Sequence, residues 1–212
     1  MKLNNKRTIL VGLAFLSICA FWQMYDSVVP LILTKTFHMN ETFSGAIMAA
    51  DNILALFLLP FFGSLSDRSH SKIGKRMPFI LFGTGCAVIL MNILPLLDNS
   101  YAAQPSGLKT ASFVIVLGLL LVAMGTYRSP AVALMPDVTP KPLRSRANAI
   151  INLMGAVGGI LYLGVAAVLY PNSKTAGLDH VNYQPLFIVV SAIMFIAIAV
   201  LFLTVKEPKL TA

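Results

Sequence analysis

Hydrophobic positions in this chain do not alternate at a strand or amphipathic-helix period; they come in six long, almost unbroken apolar runs. A helix needs about 20 such residues to cross a hydrocarbon core. The runs at Thr8–Leu33, Phe43–Phe62, Met77–Leu97, Ala111–Met135, Ala147–Tyr170 and Pro185–Val205 each meet that length. The pattern predicts an all-α membrane protein, a bundle of six transmembrane helices joined by short polar loops. The first run follows a basic start, MKLNNKR, as a signal peptide does, but no small-x-small cleavage pattern follows and the apolar character continues to Leu33. It reads as a retained membrane helix.

Composition agrees: 57% of the 212 residues are hydrophobic and 11% charged, too apolar for a soluble domain. A net charge of +8 raises the question of nucleic acid, and the placement of the cations answers it. Of 16 Lys and Arg, twelve fall in the N-terminus, the loops Gly63–Arg76 and Pro136–Arg146, and the C-terminus. Lys35, Lys109 and Lys174 are in the alternate loops, and Arg128 is inside an apolar run. That asymmetry is topology, not a phosphate-binding face. It predicts cytoplasmic termini and external loops at Thr34–Thr42, Asp98–Thr110 and Pro171–Gln184. Tyr101, Tyr170 and Tyr183 then mark the external boundary. Cys19 and Cys86 lie in apolar segments and are expected as free thiols. His38, His70 and His180 are in separate loops, which argues against a metal site and against an acid–histidine pair of an enzyme.

Three ionisable residues interrupt the apolar runs: Asp26, Asp51 and Arg128. A charge at helix centre costs at least ~2.5 kcal/mol, so such residues face a cavity or a partner. At 1.5 Å per residue, Asp26 lies roughly 10 Å and Asp51 roughly 12 Å from the external ends of their helices. Two carboxylates level with each other in low dielectric do not both ionise readily, which makes the pair a candidate proton carrier. Arg128 offers a fork to hydroxyls or to a carboxylate, or else pairs with one of the acids or snorkels to the cytoplasmic edge. Trp22, Gln23, Tyr25 and Asn52 lie within a turn of the acids and Tyr127 adjoins Arg128; these are candidate binding residues, an aromatic surface beside hydrogen-bonding groups that suits a sugar. Tyr25-Asp26-Ser27 in the first run and Tyr127-Arg128-Ser129 in the fourth stand at similar depths, so an inverted three-plus-three repeat is expected. Gly155, Gly158, Gly159 and Gly164 predict close helix packing in the fifth.

One stretch has a spacing that a merely basic loop does not need: GSLSDRSHSKIGKRMP, with Gly63, Asp67, Arg68, Gly74, Lys75, Arg76 and Pro78. Gly63 is expected to end the second helix and to let another helix approach closely, Gly74 to allow a turn and Pro78 to suit the first turn of the third helix. The stretch resembles the loop between helices two and three of the major facilitator superfamily. With YRSPAVALMPDVTPKPLRSRANAIINLMG, which carries Pro130, Ala133, Leu134, Asp137 and Arg144, it is similar to the glycoside–pentoside–hexuronide:cation symporters and the sucrose-type proton symporters. That resemblance implies one half of a fold built from two six-helix halves, and coupled uptake of a sugar or glycoside. It also implies a cytoplasmic charge network of Asp67, Arg68, Arg76, Asp137 and Arg144 that latches the outward-facing state.

The departures matter equally. Sodium-coupled melibiose-type members carry acids at positions matched here by Ala55, Leu59 and Arg128, so a proton rather than sodium is the expected coupling ion, with no other cofactor. Drug antiporters carry a proline that Gly155-Ala156-Val157-Gly158-Gly159 lacks. The chain stops where the central loop of such a carrier begins, so the expected partners are the bilayer, a sugar, and a C-terminal six-helix half or a second copy. A carrier for another solute and a transport-incompetent half are the alternatives, and the expected location is the plasma membrane.

Overall fold

A computed structural model describes residues 3–178 and 180–205; the cations of the C-terminal tail lie outside these. Six long helices form the bundle: α1 (Asn5–Leu31), α2 (Glu41–Asp67), α3 (Met77–Ala103), α4 (Gly107–Val138), α5 (Arg144–Leu169) and α7 (Gln184–Thr204). A single turn, α6 (Asn172–Thr175), lies between α5 and α7. All six are long and apolar enough to span a membrane.

Contacts follow a symmetric plan. The largest interfaces are α1 with α5, α3 with α4, α1 with α7, α2 with α4, and α3 with α7. Exchanging the first three long helices for the last three, in order, maps this set onto itself, as an inverted repeat requires. Burial is uneven. Helix α1 is mostly enclosed, while only Ser44 and Ser66 are buried along α2, which exposes Phe43, Ile53, Leu56, Phe57 and Phe61.

Several helices outrun their apolar signal. Gly63 does not end α2, which continues to Asp67, but it is a close-approach point as expected: an added Cβ would meet Ser129 Oγ at 3.1 Å. The stretch from Asp98, expected as loop, continues α3 to Ala103, and Lys109 Nζ closes its end by donating to the Ser100 and Gln104 carbonyls at 2.7 and 2.8 Å. Asp137 belongs to α4, not to the loop after it. The physical reason is common to all three: polar residues carry on a helix once its last carbonyls find donors, and hydropathy does not register this. A π-helical turn at Ile32–Thr36 extends α1, and Thr34 Oγ1 donates to the Pro30 carbonyl at 2.8 Å, a group near the proline break.

Glycines set the closest crossing. A Cβ at Gly158 would overlap the Leu16 backbone, and one at Gly155 would come 2.9 Å from Cys19 Sγ, so α5 lies directly on α1. Gly164, expected to pack likewise, has no atom near its Cβ direction, and Gly159 makes only an ordinary approach to Gln23 at 3.9 Å. Tyr127 is fully buried where α4 meets α1; its hydroxyl donates to the Ala14 carbonyl at 2.9 Å and contacts Ser17. Tyr127→Phe is expected to lower stability by about 1 kcal/mol, because Ser17 still donates to Ala14 at 2.9 Å. A thermal unfolding midpoint in detergent checks it.

Candidate functional site

Two polar constellations stand out, one midway along the bundle and one at the end carrying the basic connections. The first is built on α1. Trp22, Gln23 and Asp26 follow one another at helical spacing, with Gln23 and Asp26 exposed on the open side and Tyr25 turned inward at 1% exposure. Phe21, Trp22 and Tyr25 form a ring cluster with centroids 5.3 to 6.0 Å apart. Facing it, α4 places the Arg128 guanidinium 5.5 Å from the Trp22 ring centroid, a cation–π contact. Asp51 projects from α2, its Oδ1 accepting from Asn52 Nδ2 at 2.7 Å. Asp26, Asp51 and Tyr25 lie within electrostatic reach of one another.

Among the described residues Asp26, Asp51 and Arg128 form no ion pair, so the structural role considered for Arg128, a bridge to one acid, is not the arrangement found. Trp22 Nε1 and the Tyr25 hydroxyl are buried without a hydrogen-bond partner there. Unpaired polar atoms of this kind are uncommon and point to a group that completes them. A small cavity of about 20 Å³ is lined by Trp22, Asp51, Ala55, Leu59, Gly125 and Arg128. Its walls from α2 are apolar at both positions where melibiose-type carriers have acids, leaving Asp51 as the one carboxylate against a fixed guanidinium. Tyr127 is not part of this face: its hydroxyl is used inside the bundle, a correction to its expected binding role.

The second constellation is built on Arg76, the residue just before α3, which is only 5% exposed. Its Nε donates to Asp137 Oδ2 at 3.0 Å, and its NH2 group pairs with Asp67. Its NH1 group donates to Ser66 Oγ at 2.6 Å and to the Gly63 carbonyl at 3.3 Å. Lys75 Nζ adds contacts of 3.6 Å to Asp67 and 3.3 Å to Asp137. One guanidinium therefore ties the end of α2, the start of α3 and the end of α4 together. Gly74, at φ 112°, makes the turn that delivers it, and Pro78 occupies the first turn of α3. Gly74→Ala is expected to cost about 1–3 kcal/mol of backbone strain, read as a lower unfolding midpoint.

Arg68 and Arg144, expected in this network, are outside it. Arg68 is exposed at the end of α2 and makes no ion pair among the described residues. Arg144 donates to the Pro136 and Thr139 carbonyls at 2.9 and 3.3 Å, closing the end of α4. Ser66, which the sequence did not single out, is a member, since a lone serine near a helix end carries no signal.

At the opposite end the structure overturns a second expectation. Asp98 is not in a loop but fully buried in α3, and His180 Nδ1 is 4.0 Å from its Oδ1. An acid–histidine pair is thus present, assembled across 82 positions of sequence that no spacing rule connects. The Tyr170 and Tyr183 rings lie nearby, tilted at 44° with centroids 5.2 Å apart. Burial raises the Tyr183 phenol above its ordinary range, and the Asp98 charge adds to the shift.

A six-helix bundle with an inverted repeat, a basic connection tied by arginine and unpaired charges on an open face defines a membrane carrier scaffold. The Major Facilitator Superfamily profile matches residues 11–212. The chain belongs to that family, whose members are transporters, and is an integral, multi-pass membrane protein. A sucrose transport protein of Arabidopsis thaliana is 35% identical over 145 residues, which is 63% of this chain and 24% of the relative. One from Oryza sativa subsp. indica is 33% identical over 141 residues, 60% of this chain and 28% of the relative. The alpha-ketoglutarate permease of Escherichia coli (strain K12) is 26% identical over 179 residues, 83% of this chain and 38% of the relative. The matched region is thus less than two fifths of the length of each relative.

Proposed function

We propose that this chain is the N-terminal half of a proton-coupled symporter for a sugar or glycoside, completed by a second six-helix half in the plasma membrane. The basic connections and both termini face the cytoplasm by the positive-inside rule. The observation that carries the reading is the open face around Trp22. Among the described residues it holds two carboxylates and a guanidinium without ion pairs, beside an indole N–H and a phenol O–H without hydrogen-bond partners. Charges so placed in a bilayer are stable only against a water-filled cavity or a partner surface. The Trp22 ring suits the apolar face of a sugar ring, and Asp26, Asp51, Asn52, Gln23 and Arg128 suit its hydroxyls, while Tyr25 is turned inward and backs the indole.

In this mechanism a proton rests on the Asp26–Asp51 pair and discharges it as the loaded carrier reorients. Sodium fits less well, because Ala55 and Leu59 give the cavity no further oxygen ligands and Arg128 already supplies a positive charge. The Arg76 network holds α2, α3 and α4 together at the cytoplasmic end, so the half rocks as one body and the latch opens only when both acids are released.

The test is pH-dependent uptake of a labelled disaccharide in cells that make this chain together with a second six-helix half. Asp26→Asn combined with Asp51→Asn is expected to reduce proton-driven uptake more than about tenfold, equivalent to 1.4 kcal/mol. Uptake that follows sodium, ignores pH and survives both substitutions sinks the proposal. One observation favours a second reading: the Arg128 guanidinium, unpaired with any acid among the described residues, matches a carboxylate solute, in line with the permease relative. Competition by a dicarboxylate but not by sugars decides for that reading.

A further inference from the structure

We propose that Asp98 and His180 form a proton-binding dyad at the end opposite the basic connections, separate from the acids of the open face. Asp98 is 0% exposed, and among the described residues its carboxylate is approached by the Thr36 hydroxyl and the His180 ring but makes no hydrogen bond of ordinary geometry. A bare charge in that setting is costly, so the site needs a proton on the acid itself or a cation against it.

A chain of hydrogen bonds fixes where that proton goes. The backbone N–H of Gln184 donates to Asn182 Oδ1 at 2.9 Å, which identifies that atom as the amide oxygen. Asn99 Nδ2 donates to the same oxygen at 2.9 Å, so Asn99 Oδ1 is left as an acceptor. His180 Nε2 lies 3.0 Å from Asn99 Oδ1 and must be the protonated ring nitrogen. The nitrogen left to gain or lose a proton is Nδ1, which is 4.0 Å from Asp98 Oδ1 and 3.2 Å from the Thr36 hydroxyl. With Nδ1 protonated, the imidazolium faces the carboxylate. With Nδ1 bare, the proton sits on Asp98. Either arrangement stores one proton, and losing it leaves a buried anion with no ion-pair partner other than the neutral imidazole among the described residues.

The groups facing the pair from each packed element are Thr36 at the end of α1, Asn99 on α3, and Tyr183 from the connection before α7. Lys109 of α4, at the same end of the bundle, is committed to the Ser100 and Gln104 carbonyls. The sign follows from linkage: a proton held by the folded state and given up by the unfolded chain stabilises at low pH, and that stability is lost as pH rises.

The experiment is the unfolding midpoint of the full chain in nanodiscs between about pH 5 and about pH 9, from just above the ordinary carboxylate range to beyond the ordinary histidine range. Wild type is compared with Asp98→Asn, His180→Gln and Asp179→Asn. The midpoint of wild type should fall by several degrees as pH rises, Asp98→Asn and His180→Gln should flatten that fall, and Asp179→Asn should keep it. A flat wild-type profile overturns the dyad, and so does an equal fall in Asp98→Asn or loss of the fall in Asp179→Asn. If Asp98→Asn does not fold, the wild-type, His180→Gln and Asp179→Asn profiles still decide.

Discussion

Arg76→Ala is expected to cost about 3 kcal/mol of stability, the lower end of the 3–5 kcal/mol typical of breaking a buried ion pair. The lower end applies because Asp67 is half in solvent, its side chain 55% exposed, while Asp137 is 25% exposed. Removing the guanidinium strands Asp137 with only Lys75 and leaves Ser66 Oγ and the Gly63 carbonyl without their charged donor. Arg76→Lys should recover little of this, since an ammonium does not reach four acceptors on α2 and α4 from one planar fork. Thermal unfolding of wild type and both variants is the measurement. A loss below about 1 kcal/mol, the range of exposed pairs, would mean that the network is ornamental.

Gly158→Val is expected to disrupt the α1–α5 crossing outright, and Gly158→Ala to lower stability by about 1–3 kcal/mol. Between membrane helices no hydrophobic force restores a lost contact, because lipid tails are as apolar as the side chains they replace. The atoms in the way are the Cα and carbonyl of Leu16, which cannot swing aside as a side chain does. Gly155→Ala meets the Cys19 sulfur, an atom at a side-chain end, and should cost less. Gly164→Ala meets nothing and should be neutral or slightly stabilising. Unfolding midpoints that do not rank in this order would show that α5 does not lie on α1 as described.

Much of the charge network could be read ahead of the structure because it is local. Asp67, Gly74, Lys75, Arg76 and Pro78 fall in one short stretch, and turn chemistry forces them together. Asp137 joins them from α4 because the resemblance implied it, not because any periodicity did. Arg68 and Arg144 were misplaced for a related reason: spacing shows that an arginine is near a helix end, not whether it turns to an acid or to the last carbonyls. Tyr127 was misread because sequence reports a hydroxyl's depth along a helix but not the direction in which the helix turns it.

Hydropathy alone determined that this chain makes six membrane-spanning helices, because a bilayer accepts only segments whose backbone is bonded within themselves. Charge placement determined which loops share a side. What only the tertiary structure decided was rotation and contact: Asp26 and Arg128 on the open face, Tyr127 inside, Asp98 against His180. Nearly uniform apolar helices carry almost no rotational signal, so each helix's inward face is chosen by its neighbours through the close fit of glycines and the pairing of a few polar atoms.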